Sequence, residues 1–415
     1  MFASLGSFER GGDQQEVVGT ATIWGTLDRS IVTTLVGRLA GEYDIELAIE
    51  YEQFSEETFE NAIIQALARG TGPDALLLPH ESLIPLEEVI FTIPYESYPE
   101  RTFLDSFIEE GELYLNRDGV MALPVFVDPL VLYWNRTLFN NAALARPPKY
   151  WDELLSLTPK LTKIDANRNI IQSTIALGEF SNIEHAKEIL VVLFMQAGTP
   201  LTVRNASDNA IVSVLNSRFG LIEQPAVSAL RFYTEFSNPV KPVYSWNRGL
   251  LTSQTSFLAE TLAMYIGFAH ELPELQQKNP NLNFDVTLIP QIRESSNLKT
   301  FGRLYGLALL KQSKQMPEAF QAISLLSGPE AAVLWAEVTG LAPTRRDVLI
   351  APPQDPYLSL FYEASIRADA FLDPDTLQSA SLFRNMIEDI TSGKKDISGA
   401  VDTAHRDLDA LLKRI

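Results

Sequence analysis

Cysteine is absent from this 415-residue chain, which excludes disulfides, thiolate metal sites and cysteine nucleophiles and leaves the redox compartment open. Histidine is scarce. His80, His185, His270 and His405 are scattered without the spacing of metal ligands, so neither a catalytic metal nor another cofactor is expected. Positive charge is also short: 33 Lys and Arg stand against 53 Asp and Glu, a net charge of −20. Nucleic acid and anionic membrane surfaces select for basic patches and are therefore unsuitable partners. No apolar run reaches the roughly 18 residues of a membrane span. Residues 1–16 lack the charged start and apolar centre of a signal peptide and read as a flexible lead-in.

What is present describes a globular protein. An apolar share of 46% with 21% charged residues supports a sizeable core, and the length implies two or three domains. Residues 17–78 alternate strand, helix, strand, helix, strand, which implies a parallel sheet covered by helices. Strands are expected over 17–24, 45–52 and 75–78, with Asp28 placed to cap the first helix and Ser55-Glu56-Glu57 starting the second. Ligands of such sheets gather at the carboxyl ends of the strands, here 24–28, 52–54 and 79–82.

The sequence Leu123-Pro-Val-Phe-Val-Asp-Pro-Leu-Val-Leu-Tyr-Trp-Asn135 is apolar and β-prone, yet it carries Pro124, Asp128 and Pro129. Two prolines suit a strand that leaves one sheet and enters another, or an edge strand with a bulge, and the residues alone leave both readings open. Further on, strands are expected over 170–177, 284–290 and 301–310, and helices over 183–196 and 224–237. A helix from Ser256 turns straight into a short strand. Residues 199–222 read as a polar surface excursion, and the part beyond Pro317 as mostly helical with a break at 340–343. Prolines mark three crossings, near Asp128, Pro290 and Pro343.

Taken in order, several of these segments resemble the extracellular solute-binding proteins of ABC importers, in the family that includes the maltose-binding proteins. They are the first strand ending at Trp24, Gly72-Pro73-Asp74, the Leu123–Asn135 segment, Pro147-Pro-Lys-Tyr-Trp-Asp-Glu-Leu154, the Phe257 to Met264 stretch and Gly340-Leu-Ala-Pro-Thr-Arg-Arg346. The resemblance covers about 17–415. It implies the two-lobed type II periplasmic-binding-protein fold of the α/β class, with three hinge crossings and a ligand cleft between the lobes. The lobes are expected at 17–127 plus 290–340 and at 128–289 plus 341–415.

The same resemblance suggests ligand contacts. Trp24 ends the first strand, where a cleft role and a core role weigh equally. Thr26 and Asp28 follow it in the loop that touches ligand in the family, although a cap is the plainer role for Asp28. Phe54 and Glu81 end the next two strands, and a solvated carboxylate is the ordinary fate of Glu81. Asp128 matches the family's acidic hinge residue. In the second lobe, Phe268 stands where relatives carry an aromatic platform, and Arg303 and Tyr305 stand where many carry paired glycines; a structural ion pair is the plain alternative for Arg303. Trp246, in a polar segment, is expected to be exposed and so available for binding. Leu78 and Ala380 replace tryptophan platforms of the maltose binders, which argues against a long malto-oligosaccharide.

These features point to a monomeric, extracytoplasmic solute-binding component of an ABC import system, delivering a mono- or short oligosaccharide to membrane permease subunits rather than catalysing a reaction. Aromatic faces and carboxylates would equally hold a cation such as a polyamine, and Glu81 with Asp128 could form the carboxylate pair of a hydrolase. Arg303 favours the sugar over the cation. The resemblance further implies hinge bending on ligand capture. X-ray scattering with saturating ligand is expected to show a smaller radius of gyration than without it, and an unchanged radius with ligand bound counts against hinge bending.

Overall fold

In the computed structural model, residues 17–43 and 46–414 are described; the lead-in read over 1–16, residues 44 and 45, the latter the first of the expected second strand, and the last residue lie outside the described residues. The chain forms two compact units. Unit 1 takes the described residues up to Val127 together with Leu304–Pro352, and unit 2 takes Asp128–Arg303 together with the residues from Pro353 onward. The chain thus passes from one unit to the other three times, after Val127, after Arg303 and after Pro352.

The second and third passages fall later than the prolines suggest, and pairing explains why. The strand Thr300–Leu309 runs unbroken; its first residues pair with Ala368–Asp369 of unit 2, and Tyr305 to Leu309 pair antiparallel with Pro79 to Ala75 of unit 1. Passage therefore occurs within that strand and not at Pro290. Likewise Ala342 and Pro343 still pair with Val127 and Phe126 in unit 1, so the chain leaves only at Pro352. The strand Leu123–Asn135 also continues through both prolines and is buried at all but one position, so it is no solvent-exposed edge.

Unit 1 is built on parallel pairing. Val17–Gly25 pairs with Glu46–Gln53 on one side and with Ala75–Pro79 on the other. Helices Arg29–Tyr43 and Glu56–Ala68 connect these strands, and Pro329–Thr339 packs on the first of them. Glu56 and Glu57 in the first turn complement the helix dipole, and Gly70, at φ 69°, follows the second helix's end. The Gly72-Pro73-Asp74 approach to the third strand is pinned by its acid. Asp74 accepts from the Thr22 amide at 3.0 Å and from Ser313 Oγ at 2.7 Å.

In unit 2, the Leu130–Asn135 part of the long strand pairs antiparallel with Leu262–Phe268 and with Phe284–Thr287, and Leu262–Phe268 pairs parallel with Ile170–Ile175. The helix Ala186–Gln196 is buried along most of its length. Trp151 opens a short turn before the helix Leu154–Leu161 and donates from Nε1 to Gln196 Oε1 at 2.7 Å. The excursion at 199–222 is less irregular than its polarity suggests, because Thr202–Arg204 and Ile211–Ser213 form an antiparallel pair. No helix among the described residues is long and apolar enough to cross a membrane.

One buried ion pair ties the C-terminal part of unit 2 to this helix. Lys187 Nζ lies 2.9 Å from Asp373 Oδ2, with only 6% and 0% of the two side chains exposed. Asp373 accepts in addition from Ser379 Oγ at 2.8 Å. Removing one partner leaves the other charge buried and uncompensated, so Lys187→Ala is expected to destabilise the protein by about 3–5 kcal/mol in urea unfolding, while a Lys187→Met/Asp373→Leu double variant recovers most of the loss.

Candidate functional site

Unit 1 collects its candidate residues at the carboxyl ends of its parallel strands. Gly25 is required there: a Cβ would lie 2.7 Å from both the Leu77 carbonyl oxygen and Tyr51 Oη. The following turn is fastened from below, since Tyr51 Oη donates to the Leu27 carbonyl at 2.9 Å and the Phe54 amide donates to the Gly25 carbonyl at 2.8 Å. Burial pushes the Tyr51 hydroxyl far above its ordinary pKa, so it stays a donor. Trp24 is half-buried with its ring 4.6 Å from that of Phe54, and Phe54 packs in turn on Phe59. The indole Nε1 is buried and makes no hydrogen bond within the protein.

Thr26 is half-buried beside it. Asp28 is exposed and accepts from the Ser30 amide at 2.8 Å and from its hydroxyl, which lowers its pKa; this is the geometry of a helix cap, the plainer of its two expected roles. Glu81 is not solvated as its type suggests. It sits in a 3-10 turn directly after the third strand, 7% exposed and beside His80. Tyr305 pairs opposite Pro79, which brings it to the same rim, and stacks on Phe126 at 4.6 Å.

Unit 2 brings together Asp128, Phe268 and Arg303, but not Trp246. The expectation of an exposed tryptophan fails: Trp246 is 0% exposed and donates from Nε1 to Asn182 Oδ1 at 3.1 Å, a core residue whose one polar atom is satisfied. Phe268 is no open platform either. It is 1% exposed, with His270 stacked on it at 5.9 Å, His185 edge-on at 4.8 Å, Phe301 edge-on at 6.1 Å and the Arg303 guanidinium 5.4 Å from its centroid.

Asp128 is buried and already engaged. Its Oδ1 accepts from the His270 amide at 3.1 Å and its Oδ2 from His270 Nδ1 at 2.5 Å. Antiparallel pairing puts Leu130 opposite Phe268, so the residue two before the first meets the residue two after the second. Burial disfavours the charged imidazole, but the bond and charge of Asp128 outweigh it and raise the His270 pKa. The neighbouring acid is just as occupied. Glu271 accepts from Tyr265 Oη at 2.6 Å, the Phe268 amide at 2.7 Å, His185 Nε2 at 2.8 Å and Gln254 Nε2 at 2.9 Å.

His185, His270 and Glu271 escape sequence reasoning because the two histidines are far apart in the chain. Only the turn after the Leu262–Phe268 strand and the start of the Ala186–Gln196 helix, whose preceding residue His185 adopts φ 58°, set them around one ring. No group of three or more His, Cys, Asp and Glu suited to a metal ion occurs among the described residues.

Parallel strand-helix units and three passages between two units define an α/β protein of the type II periplasmic-binding-protein class, and solved structures of that fold superpose over nearly the whole chain. The cyclic alpha-maltosyl-1,6-maltose binding protein of Arthrobacter globiformis has a TM-score of 0.75 at 17% identity, covering 96% of this chain and 100% of that one. The ABC transporter solute-binding protein of Thermotoga lettingae, solved with alpha-D-tagatose, has a TM-score of 0.66 at 19% identity, covering 96% and 100%. The chain belongs to the bacterial extracellular solute-binding proteins, whose family model matches residues 35–357. A Brucella abortus (strain 2308) protein described as a binding protein is 20% identical over 386 residues, 89% of this chain and 86% of the relative.

The Glu271 network has a measurable signature. Burial would raise the carboxyl's pKa, but His185, Tyr265 and the Phe268 amide override it and hold it at about 2, below the ordinary 4.5. A depressed acid stabilises the fold fully above its unfolded pKa and loses that contribution as pH falls through the folded one. Urea unfolding from pH about 7 to about 2.5 is therefore expected to show roughly 3 kcal/mol lost below pH about 4.5 in the wild type, and little of that slope in Glu271→Gln.

Proposed function

We propose that this protein is the solute-binding component of an ABC import system and that its solute is a mono- or short oligosaccharide, delivered to permease subunits in the membrane. Membership of the extracellular solute-binding family supports capture of a solute rather than catalysis. The observation that carries the sugar reading is the Trp24–Phe54 pair at the carboxyl ends of the unit 1 strands. A flat apolar ring suits the face of a pyranose, and neighbouring Thr26, Asp28 and Tyr305 supply hydroxyl and carboxylate partners for sugar hydroxyls. The Arthrobacter and Thermotoga structures name sugars as ligands, which supports the same class. The reading carries a monomer as the working unit and uses no cofactor.

A thermal-shift screen of sugars, polyamines, amino acids and peptides identifies the ligand, because a solute specific for the folded form raises Tm by mass action. Calorimetry from low to half-molar salt then separates the classes. A sugar bound through hydroxyls is expected to hold its affinity, whereas a steep loss with salt overturns the sugar in favour of a polyamine-like cation. Trp24→Ala is expected to weaken sugar binding by about 1–3 kcal/mol with a small effect on Tm, and unchanged binding removes Trp24 from the site.

A further inference from the structure

The acids of unit 2 that would serve as acceptors for a solute are spent on the protein itself. Asp128 receives two N–H groups from one residue, His270, and Glu271 receives four donors. Both residues are also only 3% exposed, so neither carboxylate is presented to a cation or a sugar hydroxyl. What this face offers instead is the imidazole of His270, half of whose side chain is exposed.

The geometry fixes how the imidazole is offered. An ionised carboxylate only accepts, so Nδ1, 2.5 Å from Asp128 Oδ2, must carry a proton and donate it. Nε2 is the ring's remaining polar atom. The ring is also braced from below, stacked on Phe268, which is itself wedged between His185, Phe301 and Arg303. A second bond from Asp128 to the His270 amide stops the residue from turning away. The result is a rigid, carboxylate-backed imidazole over an aromatic base, a donor rather than an acceptor once Nε2 is protonated.

We propose that His270 binds a solute carboxylate, its Nε2–H donating to it, and that this solute is a sugar acid of the uronate type. This rests on the sugar reading above and narrows it. The groups that set the charge of His270 are Asp128 on the long strand and Glu271 on its own turn, which favour the imidazolium, and Arg303 on the Thr300–Leu309 strand, which opposes it. His185 meets the same Phe268 ring from the start of the Ala186–Gln196 helix but gives its Nε2 to Glu271. The carboxylate on Asp128 therefore does for His270 what a second acid does for a paired base: it fixes the tautomer and holds the proton.

The test uses the full chain with D-glucuronate, D-galacturonate, a digalacturonate, their neutral sugar counterparts and spermidine. Thermal shift selects the binder, and calorimetry follows its affinity from pH about 5.5 to about 8.5. The expected result is stabilisation by at least one uronate, with affinity lost at up to about tenfold per pH unit once the imidazole deprotonates. His270→Gln, which can still donate but carries no charge, is expected to bind weakly and without the pH slope, and its unliganded Tm is expected to fall because the buried Asp128 loses the imidazole donor. Asp128→Asn is expected to keep the slope but move it to lower pH, a shift that a merely structural role for the pair does not produce.

Stabilisation by neutral sugars alone, or a pH slope that persists in His270→Gln, overturns this inference while leaving the sugar-binding reading standing. Stabilisation by spermidine alone, or by no member of the panel, overturns the sugar-binding reading itself.

Discussion

The double acceptance by Asp128 is the contact on which much of unit 2 depends. A buried strand with a proline on the carboxyl side of Asp128 lacks one backbone donor, and the chain beyond Phe268 turns out of its ladder just where it would face that gap. Tyr133 Oη supplies a donor to the Phe268 carbonyl there, and the Asp128 carboxylate meets the turn's own donors by taking the His270 amide and imidazole together. That one acid therefore fixes both the turn after the Leu262–Phe268 strand and the tilt of the ring stacked on Phe268. From the same turn Glu271 reaches back to the Phe268 amide and across to Tyr265, Gln254 and His185, so the strand end, the Ser253–Leu258 helix and the start of the Ala186–Gln196 helix meet on one carboxylate.

Unit 1 solves a different problem with different means. Its rim must leave residues available at the carboxyl ends of parallel strands while keeping the turn after the first strand from fraying. Gly25 lets that turn sit against Leu77 and Tyr51, and the Tyr51 hydroxyl, pushed up by burial, holds it with a neutral hydrogen bond. Little charge is spent in doing so. Asp28 remains at the surface with its cap to Ser30, and Trp24 keeps a half-buried face against Phe54.

The alternating pattern over 17–79 was legible because strand and helix periods, a first-turn Glu pair and the Gly-Pro-Asp approach all agree locally, and agreement across levels is what sequence reasoning can detect. The passages between units were less legible. Proline marks where a ladder donor is missing, not where a strand changes partners, and Thr300–Leu309 changes partners without any proline. Among the candidate site residues, Trp246 misled because polar neighbours in sequence say nothing of burial; its segment folds inward and Asn182 satisfies the indole. His185 and His270 are far apart in the chain, and only the fold assembles them around Phe268.

Net charge misleads in a related way. An excess of acids suggests a surface seeking cations, yet four of the buried acids are engaged by the protein's own donors. Asp74 binds Thr22 and Ser313, Asp128 binds His270 twice, Glu271 binds four partners, and Asp373 binds Lys187 and Ser379. A carboxylate so engaged and buried contributes to the charge count but is not presented to a solute. The sign of the ligand is accordingly decided by which polar atoms remain after these internal bonds are made. At the Phe268 ring of unit 2 the acids are buried and engaged, and the half-exposed polar group is the His270 imidazole.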